Sequence, residues 1–220
     1  MESVRQAAAP CGCHAGEAVV ARTAAQRRVL WAVLAINLAI FGGEFGVGVW
    51  ADSTALQADS LDSLGDALVY AISLYVLGRT LRARAGAALA KGAIQLAFGI
   101  GVLAEVVVKV LVGAAPLAPI MAIAASLALI ANLGCFLLLY RFRSDDINMR
   151  SVWLCSRNDV IGNAGVLVVA GAVVYTGRAW PDWLFAAAMA VLFLHTSWTV
   201  LRTAWPQFHG GAAPAPPSCH

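Results

Sequence analysis

Between Ala58 and Leu68 the chain places Asp59, Asp62 and Asp66 inside a segment that is otherwise apolar and long enough to cross a membrane. A carboxylate at mid-membrane depth costs several kcal/mol unless it is protonated, paired or bound to a cation. Asp62 and Asp66 are four residues apart, which puts them about one turn apart on one helix face. The spacing recurs once, as Cys155 and Asp159, in a second apolar stretch. Carboxylate oxygen and thiolate sulfur both ligate divalent cations, and four such donors suit a tetrahedral ion. The pattern therefore points to a four-ligand cation site, Asp62, Asp66, Cys155 and Asp159, shared by two transmembrane helices.

The composition says what must position these groups. Sixty per cent hydrophobic residues, 12% charged residues and a mean hydropathy of +0.76 lie outside the range of soluble domains and inside that of polytopic membrane proteins. A net charge of +3 gives nucleic-acid binding no support, and in a membrane protein the placement of basic residues reports orientation instead. Five cysteines, at 11, 13, 135, 155 and 219, are an odd number without secreted-scaffold spacing, so they read as free thiols or metal ligands. The first apolar run, from Val29, is too long and too marked by polar residues to be a cleaved leader.

Hydropathy divides the chain into an N-terminal tail (1–28, expected to be mobile and cytosolic), a transmembrane domain (29–205) and a short cytosolic C-terminal tail (206–220). The domain is expected to be all-α with six spans, near 29–50, 54–77, 93–112, 117–140, 148–174 and 183–201. Arginine and lysine gather in the N-terminal tail, at 79–91, at 141–150 and at Arg202, with Arg178 alone on the other side, so both termini are expected in the cytoplasm. At 1.5 Å per residue, Asp62 and Asp66 then lie roughly 12 and 18 Å from the outer surface, and Cys155 and Asp159 roughly 10 and 16 Å from the inner one. All four fall in a common middle band.

Two longer stretches carry a resemblance. The run from Asn37 to Gly48 followed by Ser53 to Asp66, and the segment from Ser156 to Val166, resemble the first, second and fifth helices of the cation diffusion facilitator (cation efflux) family. The likeness extends over about residues 29–205. It implies a homodimeric exporter, in no sense an enzyme, that exchanges a cytosolic divalent metal for protons, with no cofactor beyond the transported ion. By position, the family's transport ligands fall on Asp62, Asp66, Cys155 and Asp159. Cys155 stands where the family commonly has His. The chain also ends soon after its sixth span, without the family's usual C-terminal cytosolic domain, so a dimer is expected to form through the membrane domain. The implied setting is a bacterial inner membrane.

The residue types suit exchange. Three carboxylates and a thiolate around one cavity repel each other when empty and hold protons that a divalent cation displaces. A thiolate among oxygens favours Zn²⁺ or Cd²⁺ over Mg²⁺ and Ca²⁺. Asp59 either lines the exit path or caps its helix. Asn37 and Glu44 on the first span support the site, line a pathway, or bond between helices. Glu105 and Lys109 read as an intramembrane ion pair, and His195 as a hydrogen-bonded helix residue. Cys11, Cys13 and His14 form a tail cluster able to collect a soft metal, and Cys219 with His220 a weaker one. The alternative from another class is a membrane-embedded metal-binding or regulatory protein that transports nothing.

Overall fold

The computed structural model describes residues 24–75, 81–144 and 147–209. They form six helices: α1 (Ala24–Trp50), α2 (Thr54–Tyr75), α3 (Leu81–Val112), α4 (Ala118–Tyr140), α5 (Ile147–Thr176) and α6 (Trp180–Phe208). All but α2 are long and apolar enough to cross a bilayer. With 22 residues α2 is itself about 33 Å long, and it packs among α1, α3, α5 and α6. The chain is an all-α, multi-pass membrane protein.

Its polarity is inverted relative to a soluble bundle. Ile123, Leu127, Ile130 and Leu137 of α4 face outward, whereas Asn132, Asn37, Glu44, Asp59, Asp159 and Asn163 are buried. Lipid can receive the apolar surface but not unpaired polar groups, so the polar residues turn inward. The buried side of α4 is a helical stripe of mostly small residues, Ala118, Met121, Ala125, Ala128, Asn132 and Cys135, closed by Leu139.

Several helices extend beyond the apolar runs that mark them in the sequence, α3 and α6 the furthest. α3 starts at Leu81 rather than near Ala93, and α6 continues to Phe208 rather than stopping near Leu201. The stretch before Ala93 is rich in Ala, Leu, Arg and Lys, all good helix formers, so the helix outlasts its hydrophobicity. Lys91 therefore lies on α3 and not in a solvated connection.

Close approaches fix the registers. α3 and α6 run antiparallel with Gly92 against Val200 and Leu201, and Gly99 against Leu194 and the Ala190 carbonyl. A bond of 2.7 Å from Ser197 Oγ to the Gly92 carbonyl adds to this pair. Gly48 of α1 lies against Gln57 of α2, where an added Cβ would come within 2.8 Å of Gln57 Cγ.

At the end of the bundle that holds the α1–α2, α3–α4 and α5–α6 turns, the helices are tied by polar groups. α1 ends with Asp52 at φ 57°, Asp52 N bonding the Val49 carbonyl (3.3 Å) and Ser53 N the Gly48 carbonyl (2.9 Å). This is a Schellman cap with aspartate in the left-handed position that glycine usually takes. Lys109 of α3 holds it there, with Nζ 2.9 Å from both the Asp52 carbonyl and Asp52 Oδ1 and 3.0 Å from Glu105 Oε1. The three protons of the ammonium are thus matched by three acceptors. Glu105 Oε1 also accepts from Gln57 Nε2 at 2.8 Å, so the expected Glu105–Lys109 pair exists and reaches α2 as well.

Asp182, in the first turn of α6, caps α2 from outside. Its carboxylate accepts from Ser53 Oγ (2.6 Å), Thr54 N (2.9 Å) and Ala55 N (3.2 Å), while Ser53 Oγ accepts from Leu56 N (3.1 Å). A carboxylate at a helix N-terminus meets both the orphan amides and the positive end of the dipole. Leu117 N, before α4, bonds the Ala51 carbonyl at 2.8 Å. The turn at residues 51–55 is thereby joined to α3, α4 and α6 at once.

Candidate metal site

The four sequence-selected ligands lie on facing stretches of α2 and α5. Asp66, Cys155 and Asp159 are buried and Asp62 is half-buried. The Cys155 thiol donates a hydrogen bond to the Asp66 carboxylate, which also accepts from the Tyr70 hydroxyl at 3.5 Å. Nearer the tied end, Asp59 Oδ1 occupies the space beside Gly162, 2.6 Å from where a Cβ would stand. Seven residues separate Asp59 from Asp66 on α2, and seven separate Gly162 from Cys155 on α5. Both contacts therefore belong to one antiparallel register, and it sets Asp62 level with Asp159. The donor pairs sit across from one another, one turn apart.

Among the described residues no three His, Cys, Asp or Glu side chains are gathered tightly enough to hold a metal ion. What the structure brings together is a ladder of like charges. Asp59 acts electrostatically on Glu44, Asp62 on Asp59, and Asp66 on Asp62. Buried carboxylates in such a row repel one another unless protons or cations intervene. Around the ladder, Asn37 Oδ1, both amide atoms of Asn132, Ser156 Oγ and Asn163 Oδ1 are buried without hydrogen-bond partners. Buried polar atoms left unmatched are uncommon.

Lys91 was not legible from the sequence as part of this region. It is half-buried on α3 and interacts electrostatically with both Asp62 and Asp66. The α2–α3 contacts are consistent with this: Gln57 meets Glu105, and Ala58 packs in one cluster with Val102. Following that antiparallel register down α2 brings the Asp66 region to the level of the α3 turn that ends near Lys91. The only available signal was that helix propensity continues through 81–92.

The remaining sequence-selected residues divide clearly. Glu44 and Asp59 join the interior. Asn37 donates to the Val33 carbonyl of its own helix (3.0 Å), leaving Oδ1 unmatched, and does not bridge helices through that amide group. His195 is exposed on α6. Cys11, Cys13, His14, Cys219 and His220 lie outside the described residues. Asp182, which falls between the spans expected at 148–174 and 183–201, caps α2.

The described helices form a membrane bundle with polar and acidic residues buried in its interior. Residues 30–207 match the cation efflux transmembrane domain, and the chain belongs to that family. It is similar to the zinc transporter ttm-1 of Caenorhabditis elegans, at 26% identity over 208 residues that cover 80% of this chain and 50% of the relative. It is also similar to the zinc transporter ZitB of Yersinia pestis, at 29% identity over 93 residues, 42% of this chain and 30% of the relative. A ZitB from Yersinia pseudotuberculosis matches over the same extent at the same identity. The chain spans half the length, or less, of these curated relatives.

Proposed function

We propose that the protein carries a divalent metal cation, Zn²⁺ before Cd²⁺ or another transition metal, across the membrane in exchange for protons, by alternating access to Asp62, Asp66, Cys155 and Asp159. The observation that supports this most directly is the α2–α5 register, in which Asp66 bonds Cys155 while Asp62 lies level with Asp159. Three carboxylates and one thiol form a mixed donor set that selects borderline metals over hard ones. A bound ion and protons compete for the same atoms, which is the requirement for exchange. The relatives' names support zinc as the cargo. The basic residues favour both termini inside and the tied end outward, and the family resemblance supports export from the cytoplasm by a homodimer in a bacterial inner membrane.

In the present conformation the shell is not closed around an ion. Asp66 instead uses its oxygens for Cys155 and Tyr70, so loading has to break these bonds and draw α5 and α2 together at mid-depth. The deciding experiment is Zn²⁺ and Cd²⁺ flux into sealed proteoliposomes with and without an imposed pH gradient. Gradient-driven flux is the expected result. Metal binding with no flux under any gradient would overturn transport and favour a membrane metal-binding or regulatory protein.

Two substitutions examine the donor set. Cys155→His is expected to retain transport while shifting the Zn²⁺ to Cd²⁺ preference, because imidazole replaces the soft thiolate. An unchanged preference profile would remove Cys155 from the shell. Lys91→Met removes a positive charge that faces the same carboxylates as the metal. At an effective dielectric near 20 a unit charge within about 10 Å contributes roughly 1–2 kcal/mol, so metal affinity is expected to rise by about fivefold or more. Equilibrium binding at fixed pH measures this, and an unaltered affinity would show that Lys91 does not bear on the site.

A further inference from the structure

Glu44 and Asp59 take no part in the four-ligand shell, yet they are among the most thoroughly buried charged side chains in the molecule, each 3% exposed. Glu44 lies on α1 and Asp59 on α2, and the two interact electrostatically across the helix pair that Gly48 and Gln57 draw close. Asp59 turns toward α5, where Gly162 leaves the space for its Oδ1. Both Glu44 oxygens and Asp59 Oδ2 are buried with no hydrogen-bond partner among the described residues. Asn163, one residue beyond Gly162, contributes a further buried and unmatched oxygen, Oδ1. Two carboxylates with three bare oxygens, enclosed by three helices, lack the donors that a structural role would supply.

We propose that Glu44 and Asp59 form a second station for the divalent cation, an oxygen-only site on the side of the Asp62–Asp66 pair nearer the tied end of the bundle. It rests on the transport reading above and deepens it. Asp59 stands about 4.5 Å along the helix axis from Asp62 and about 10 Å from Asp66, so an ion moves between the two sets of oxygens in one short step. The chemistry of the two sets differs. The inner one includes the Cys155 sulfur, whereas this one has hard oxygen donors alone and holds a borderline metal less tightly. An ion leaving the thiolate for carboxylates is thus passed toward release without having to enter water directly from its strongest site.

The test counts Zn²⁺ bound at equilibrium by the purified full chain in lipid nanodiscs, with Cys11→Ser, Cys13→Ser and His14→Ala present throughout to silence the tail cluster. Two ions per protomer are expected. Asp66→Asn with Asp159→Asn should leave one, and adding Glu44→Gln should remove it. Glu44→Gln in the otherwise intact site should also leave one ion, with the thermal unfolding midpoint unchanged or raised because one buried charge is gone. A single ion in the unsubstituted protein that is lost with Asp66→Asn and Asp159→Asn would overturn the second station and leave the transport site standing. Two ions retained in Glu44→Gln would overturn it as well. No ion bound by any variant would overturn both readings.

Discussion

Asp66→Asn, and separately Asp159→Asn, should reduce gradient-driven Zn²⁺ flux by about 100-fold or more, given that even the partners of metal ligands are worth 10–100-fold in affinity. Asparagine keeps the size and planar shape of aspartate, so a loss of flux reports the missing negative charge and not a cavity. The two positions differ in what they test. Asp66 is the residue that accepts from the Cys155 thiol, and asparagine keeps an acceptor oxygen there while removing the negative charge. Asp159 stands level with Asp62 and interacts electrostatically with Cys135 of α4, so its replacement tests the register itself. Initial rates should be compared at matched reconstitution, with size-exclusion profiles establishing that each variant folds. Flux within twofold of the unsubstituted protein in either variant would exclude that residue from the transport shell.

Asp182→Ala should destabilise the protein by about 2–4 kcal/mol, the largest effect expected from a residue with no metal-binding role. One carboxylate serves Ser53 Oγ, Thr54 N and Ala55 N, and removing it leaves two backbone amides at the start of α2 without acceptors. These groups are fully buried, so water cannot easily replace the lost partner. Asp182→Asn should fall between, since an amide retains one acceptor but turns a donor toward groups that are themselves donors. Unfolding in detergent or nanodiscs, followed by temperature, measures both variants. An Asp182→Ala protein as stable as the original would mean that the cap is dispensable and that α2 is held by packing alone.

The sequence made the interior far more legible than the joints. Asp62, Asp66, Cys155 and Asp159 stand out because charge is costly in an apolar run and because a four-residue spacing survives any error in helix boundaries. Glu44 and Asp59 stood out for the same reason. Lys91 did not, because hydropathy marks where a helix meets lipid, not where it begins, and Ala-rich sequence carries α3 on past that boundary. Asp182 was equally hidden. Its partners are Ser53, Thr54 and Ala55, more than a hundred residues away, and no local pattern discloses a cap supplied by another helix. The Glu105–Lys109 pair was visible from its spacing, but its extension to Asp52 and Gln57 depends on how α3 lies against the α1–α2 turn.

The cross-braced turn at residues 51–55 has a mechanical consequence. α2 is fastened at this end to α3 through Gln57 and to α6 through Asp182, while α3 and α6 are themselves joined where Val200, Leu201 and Leu194 pack onto Gly92 and Gly99, and by Ser197. A reorientation of α2 relative to α5 that keeps these ties would pivot about the fastened end, as a rod swings from a pinned joint, and would have to loosen the packing of Ala67 and Tyr70 at the other end. A tilt of about 10° moves a point 18 Å from the pin by roughly 3 Å and the far end of a 30 Å helix by roughly 5 Å. Asp66, farther along the arm than Asp62, travels the greater distance. If the proposed transport cycle uses such a swing, it opens the Asp66 position before the Asp62 position, and leverage would set the order in which the two release an ion.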